Sequence, residues 1–495
     1  MDADNAFNRL NRNVALANVG FTCPSIAQYL HNLYSSEPKL YMQNGTVLLS
    51  QEGTTHGDNS ASPFYAVSTK PLINQLKATS TAKQVWYADD ASGAGKLRDL
   101  LVWWNKLIEI GPAYGYFPKP SKTVLVVKDP AKLEEAQALF SPLGVSVSAD
   151  GERHLGAAIG SSSFRNRFVS GKVDLWAQDV KLLTEVAKEE PQVAYTAFVK
   201  SISHRWTYMQ RTIPGIAHLF QPLEDVIRNE FLPALIGRTL SDMERRMVSL
   251  PVRLGGLGIS DPVSMADGEY QNSRKISNAL VNLIVNQVDS ISDLDSEALF
   301  KLKKDVSKQK QQQFLNEATQ IREQLSEQLK RALDLAQEKG ASSWLTSIPV
   351  QKAGYTLNKE QFRDAVWLRY GWKLQNIPRH CACGKSSDID HLLSCPKGGY
   401  SYLRHNVLRD TLAGLLSIFC KDVTTEPTLI PTAQELERGT VASDAARLDV
   451  GARGIWSPFD KTLIDVRVTH PNAPSQQSKS LASIYQSHER EKKIS

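Results

Sequence analysis

Apolar and polar residues change rhythm several times along the chain. From residue 1 to about 165, short β-branched and aromatic runs alternate with stretches that are apolar at every third or fourth position, as in "KQVWYADD", then "KLRDLLVWWNKLIEI", then "KTVLVVK". Strands bury continuous or alternating runs, whereas a helix buries one stripe in 3.6-residue steps, so this part predicts an α/β or α+β unit. Between about 165 and 270 the helical period dominates, through "VDLWAQDVKLLTEVAKEEPQVAYTAFVKSI" and "LEDVIRNEFLPALIG". The glycines and proline of "LPVRLGGLGISDP" then mark a boundary. In the charged stretch that follows, Phe314, Ala318, Ile321, Leu325, Leu329, Ala332 and Ala336 recur at threes and fours and predict one long helix. That stripe covers only about three heptads, which favours a spacer helix packed on its neighbours over a dimerising coiled coil. From about 345 onward a cysteine cluster precedes a second strand-rich stretch.

Length and composition narrow this picture. A chain of 495 residues is too long for one core and predicts several domains. With 41% hydrophobic and 22% charged residues, most of it should fold. The longest apolar runs, such as "LAGLLSIFC", fall short of the roughly 18 to 20 residues a membrane span needs. The opening "MDADNAFNRLNR" has no apolar signal region, so an intracellular location is the expectation. A net charge of +6 is compatible with a polyanionic partner but does not identify one. Five cysteines exclude a disulfide scaffold, and the three between residues 381 and 395 suggest a metal site, while Cys23 and Cys420 read as buried hydrophobes.

Template-directed phosphoryl transfer needs two Mg2+ ions about 3.5 to 4 Å apart, bracketed by carboxylates because hard cations take oxygen ligands. "VWYADDAS" places Asp89 and Asp90 directly after a strand-like run, where a tight turn would hold them at a strand tip. This segment resembles motif C of reverse transcriptases. Upstream, Asp2 and Phe7 of "DADNAF" have the spacing of motif A in that family, which selects Asp2 over Asp4; the resemblance implies that Asp2 binds metal and that Phe7 lies beneath the sugar, gating against a ribose 2′-hydroxyl. "SQEGTTHGDNSASPFYA" resembles motif B and matches at Gly53, Gly57 and Asp58, with His56 and Asn59 replacing the family's glutamine and proline. "GYFPKPSKTVLVVK" resembles motif D, which implies that Lys122 protonates the leaving pyrophosphate, and "GERHLGAAIG" resembles the primer grip, motif E. The helical stretch after it would then be the thumb.

The likeness is to non-LTR retrotransposon polymerases of the clade that carries a restriction-like endonuclease, and it runs over essentially the whole chain. One departure is that motif A begins at residue 2, so the fingers and the strand leading into Asp2 are expected to be missing.

"CACGKSSDIDHLLSC" supplies Cys381, Cys383, His391 and Cys395, a soft tetrahedral set suited to structural Zn2+, in a spacing close to the knuckle of that clade; His380 is an alternative ligand. In the last hundred residues "RLDVGARGIW" and "TLIDVRVTH" predict consecutive strands, and period-two alternation puts Ile464, Val466 and Val468 on one face with Leu463, Asp465 and Arg467 on the other. With Asp449 on the neighbouring strand this resembles a PD-(D/E)xK nuclease core. The resemblance implies Asp449 and Asp465 as Mg2+ ligands, Arg467 as a stabiliser of charge, and Lys492 or Lys493 as the lysine from a later helix; Glu426 is a further acidic candidate. Arginine stays protonated and cannot serve as a base.

The expected architecture is α+β multidomain: a partial palm over residues 1–165, a helical thumb over 166–270, a helical linker over 271–345, a zinc-knuckle-like module over 346–400 and a restriction-like α/β nuclease over 401–495. The expected function is target-primed reverse transcription by a polymerase fragment, with RNA template, DNA target and primer, and dNTPs as partners, in the nucleus during integration. The rivals are a decayed or co-opted nucleic-acid-binding copy and a fragment active only as a nuclease.

Overall fold

Strands in this protein are short, three to five residues, because each apolar run soon meets a turn residue. The structure, a computed structural model, describes residues 1–55, 57–288, 296–429 and 447–494, with side chains through residue 490. It is mixed α+β and divides into two compact units, Met1–Arg363 and Asp364–Ser495.

In the first unit β1 (Lys39–Tyr41) and β2 (Val47–Leu49) form an exposed antiparallel hairpin. β3 (Lys83–Tyr87) pairs antiparallel with β4 (Asp90–Ala94), Tyr87 opposite Asp90, which leaves Ala88 and Asp89 as the turn. Ala88 takes a φ of 54°, a strained value for a residue with a Cβ. β5 (Val124–Val126) and β6 (Ser146–Ser148) are parallel, so their connection must cross over, and the helix Leu133–Phe140 lies within it. β7 (Gly151–His154) and β8 (Ala157–Gly160) make a tight hairpin in which Leu155 and Gly156 both have positive φ.

Helices Ala61–Thr79 and Leu97–Ile110 supply the core of this region. The second buries Leu100, Trp103, Trp104 and Leu107, one face at spacings of three and four, and these gather with Phe64, Tyr65, Leu72, Leu76 and Tyr116. The buried Gln84 is held at both ends of its amide: its oxygen accepts from the indoles of Trp86 (3.2 Å) and Trp103 (3.0 Å), and its NH2 donates to Ile73 O at 2.8 Å.

Beyond residue 160 the unit is helical. Ser161 caps the helix Ser162–Glu189 by accepting the Phe164 N–H at 3.0 Å, and Pro191 opens the next helix, Pro191–Lys200. Trp176, stacked on Phe220, and Phe198, stacked on Phe231, anchor their packing. A buried Arg245 forks onto both oxygens of Glu224 at 2.7 Å and onto Ile259 O, which satisfies the charges it takes out of water. Asp261 and Pro262 start the helix Pro262–Val285, so the glycine and proline signal of the sequence marks a helix start.

The apolar stripe expected to form one long helix is carried by two, Ser296–Gln324 and Glu327–Gln337. Ser326 accepts the Leu329 N–H and begins a new helix there, a cap that side-chain periodicity alone does not register. Ala318, Ile321, Ala332 and Ala336 are nevertheless buried on both sides of the break.

In the second unit the helix Tyr400–Leu416 packs on an antiparallel sheet of order β11-β10-β9, formed by β9 (Lys421–Thr425), β10 (Val450–Arg453) and β11 (Lys461–Ile464). Ala413, Leu416, Val450 and Ala452 make its small core. Cys420 lies against this core but is only half-buried, and so is Cys23 in the first unit, so neither is the fully buried hydrophobe expected. Cys23 is the C-cap of the helix Arg12–Thr22, and Cys420 lies between the end of the helix Tyr400–Leu416 and β9. Among the described residues no helix is long and apolar enough to cross a membrane.

Candidate active site and metal centre

The first residues of the chain run alongside the segment that precedes β5. Ala3 bridges Pro118, the Asp4 N–H donates to Phe117 O at 2.8 Å, and the Lys119 N–H donates to Asp2 O at 3.0 Å. This pairing brings Asp2 towards the β3–β4 turn. Burial first, then the charges of Asp89 and Asp2, lift the Asp90 carboxyl above its ordinary value. Asp4 points into a different network, with Arg9 at 3.0 Å and Lys119 at 3.3 Å, and those partners lower its carboxyl. Lys122, in a 3-10 turn at Pro120–Lys122, reaches the Asp2 carboxylate at 2.9 Å, and that bond raises its ammonium.

Phe7 stacks on Tyr65 with ring centroids 4.4 Å apart and is held against the core. The Gly53 loop folds back onto the same segment: Gly53 N–H donates to Leu10 O, Thr54 N–H to Phe7 O, and Arg12 Nε to Gly53 O. A Cβ at Gly53 would lie 2.3 Å from Asn8 O, and its φ is +69°, so glycine is required there. Gly57 also has positive φ but faces open space. Asp58 accepts the Tyr34 hydroxyl and the Ser60 N–H, and the Tyr34 bond lowers its carboxyl. His56 lies outside the described residues.

Cys381, Cys383, His391 and Cys395 offer ligand atoms that all lie within 4.8 Å of one another. Among the described residues no other group of three or more histidine, cysteine or acidic side chains is drawn so close, Asp2, Asp89 and Asp90 included. The Asp2 carboxylate is bonded to Lys122. The cysteine set is built by two short pieces of chain. A turn returns Gly384 N–H to Cys381 O, and Asp388 caps the helix Ile389–Ser394, which presents His391 and ends at Cys395. Cys383 Sγ stands 3.2 Å from His391 Nε2. Burial opposes ionisation of Cys395, but the backbone N–H groups of Gly398 and Lys397 bond its sulfur and lower it, while Cys381, hydrogen-bonded to Cys395 and Cys383, is raised, so the thiols of the set share their protons. Three soft sulfurs and one imidazole fit Zn2+, with all four positions supplied by protein. His380 is exposed and stands outside the four.

The nuclease candidates are arranged differently from expectation. β11 ends at Ile464, so Asp465 and Arg467 lie past the strand, although the alternation persists: both are exposed while Ile464, Val466 and Val468 are half-buried. The ladder stops because Asp449, just before β10, donates its N–H to Ile464 O and accepts the Val466 N–H on Oδ2 at 2.6 Å. His405 stands 3.2 Å from the other Asp449 oxygen and 3.0 Å from Val466 O. Glu426 is taken up by Arg409, with Arg447 at 3.8 Å. The helix Leu481–Ile494 includes Lys492 and Lys493, whose side chains lie outside the described residues.

No protein-family model matches the chain, and no curated protein matches it.

Several residues at these sites carry no signal in the sequence pattern. Tyr116 donates its hydroxyl to Asp89 O at 2.9 Å and pins the turn from below. His154, at the end of β7, faces Ser92 of β4 at 3.2 Å, and burial lowers its imidazole. His405 and His470, the latter 2.9 Å from Asp390 beside His391, are isolated histidines in the sequence, and only folding supplies their partners.

Proposed function

We propose that the chain is a fragment of an RNA-directed DNA polymerase of a non-LTR retroelement, coupled to DNA nicking in target-primed reverse transcription. The observation that supports this reading is that the Ala3–Pro118 bridge and the Lys119–Asp2 backbone bond hold Asp2 where its charge, with that of Asp89, adds to burial in raising the Asp90 carboxyl, while Lys122 is bonded to Asp2 and Phe7 is stacked on Tyr65. Asp2, Asp89 and Asp90 would hold the Mg2+ pair, which when bound activates the primer hydroxyl and neutralises charge on the triphosphate. Lys122, bonded to Asp2 at 2.9 Å, would be the group that donates a proton to pyrophosphate as the α-phosphorus to oxygen bond breaks. Phe7, backed by Tyr65, would be a rigid wall under the sugar, and Gly57, which faces open space, would be the glycine of this loop that lets backbone approach the template.

The finer domain reading goes with this proposal: palm, thumb, linker, zinc knuckle and nuclease, the last using Asp449 and Asp465 with Arg467 as a charge stabiliser. The four-ligand cluster would bind structural Zn2+ and order the loop that carries it.

Primer extension with Mg2+ on a poly(A) template primed by oligo(dT) tests the polymerase: synthesis abolished by Asp89→Ala supports it, and binding without synthesis sinks it. A decayed or co-opted copy that only binds nucleic acid is the second reading, favoured by the lysine that neutralises Asp2. Plasmid nicking that survives Asp89→Ala but not Asp465→Ala separates out the nuclease.

A further inference from the structure

One face of the sheet in the second unit carries a row of like charges. Val450 and Ala452 turn into the small core with the helix Tyr400–Leu416, so Gly451 and Arg453 face the other way. Arg453 is in register with Lys461 of β11 on one side and Lys421 of β9 on the other, which sets three cations side by side across the strands. The stem of Lys461 lies over Gly451, where a Cβ would come within 3.0 Å of its Cε, so this cation is laid along the sheet. Such a row costs stability unless an anion spans it. The neighbouring acids do not: Asp422 is bonded to Arg453 Nε at 3.1 Å, and Asp460 is held by Ser457 Oγ at 2.6 Å. Among the described residues Lys421 and Lys461 have no acidic partner. The loop from β10 to β11 adds two rings at the same end, Trp456 and Phe459, which are 85% and 83% exposed. That loop is braced: Ile455 packs on the core, Arg453 donates to Phe459 O at 3.2 Å, and the Asp460 N–H donates to Ser457 Oγ at 3.3 Å. Rings held outward in this way leave apolar faces bare to water, and a stacked base would cover them.

We propose that this end of the sheet is a docking surface for single-stranded DNA, with phosphates along Lys421, Arg453 and Lys461 and bases stacked on Trp456 and Phe459. A polyanion with exposed planar rings matches a cation row beside two side-chain rings. A duplex does not, because its bases already cover one another. Asp449 stands before β10 and Arg453 at its end, so the surface lies about 13 Å from the nuclease carboxylate, at the opposite end of the strand. Only the choice of DNA over RNA rests on the nuclease reading; the cations and rings act without it.

The test irradiates the full chain, without Mg2+, in the presence of oligo(dT) about twelve nucleotides long and substituted with iododeoxyuridine, and maps the cross-linked peptide. A cross-link at Trp456 is expected. Phe459→Ala should raise the strand concentration that half-saturates this cross-link about tenfold. Replacing Lys421, Arg453 and Lys461 together by glutamine should lower the slope of log affinity against log salt by about 2. Asp465→Asn, which removes a proposed nuclease carboxylate, should change neither, so loss of nicking and loss of docking are read separately. Cross-links confined to other peptides, an unchanged salt slope, or equal competition by poly-glutamate would overturn the surface. Equal capture of the matching duplex would overturn the single strand, and tighter capture of the matching oligo(U) would overturn DNA as the occupant.

Discussion

The Asp90 carboxyl is the most informative single group in the protein. Burial, followed by the Asp89 charge, lifts it above its ordinary 3.8. Its contribution to folding is therefore complete below that pH and is lost as pH rises through the raised value. Asp90→Asn should raise the melting temperature at pH 7 and leave it unchanged at pH 3, as thermal unfolding at the two pH values would show. Gly53 makes the opposite case, for backbone: Gly53→Ala forces a Cβ against Asn8 O at positive φ and should cost about 1–3 kcal/mol in urea unfolding. The doublet of aspartates and the glycines were legible because strand pattern and turn chemistry are local. Tyr116, His154 and His405 were not, since a lone tyrosine or histidine acquires meaning only from a partner that folding brings to it, as Asp89 O, Ser92 and Asp449 are brought.

Elements follow the same division between local and non-local signals. The helix at Leu97–Ile110 and the strands at Lys83–Tyr87 and Val124–Val126 appear where periodicity put them. The stripe from Phe314 to Ala336 misled because apolar spacing continues in phase across Ser326, while the cap that divides it is a hydrogen bond. Ser326→Ala should lower stability by about 1 kcal/mol, read by denaturant unfolding. β11 is shorter than its alternation because the Asp449 carboxylate takes the Val466 N–H that a longer ladder would have used. In the cysteine module the ligand spacing was readable, and the four ligand atoms lie within 4.8 Å of one another. The purified chain should hold one tightly bound Zn2+ by metal analysis, and either chelation or Cys395→Ser should loosen residues 381–395 to proteolysis, because the metal supplies much of the folding energy of so small a module.

At the scale of the whole molecule, two compact units carry different chemistry, hard oxygen donors near the amino terminus and soft sulfur donors beyond residue 380. The first unit is held at its helical end by the Arg245–Glu224 pair, and Arg245→Ala, which strands a buried carboxylate, should destabilise that unit by about 3–5 kcal/mol. The account turns on whether the acidic groups at residues 2, 89 and 90 share a divalent cation. Mn2+ titration followed by electron paramagnetic resonance, on zinc-loaded protein carrying Asp449→Asn and Asp465→Asn, tests this directly. Asp2→Asn and Asp89→Asn should each weaken the same bound Mn2+, and the double variant should bind it more weakly than either single one. Mn2+ binding that neither substitution alters would contradict the account.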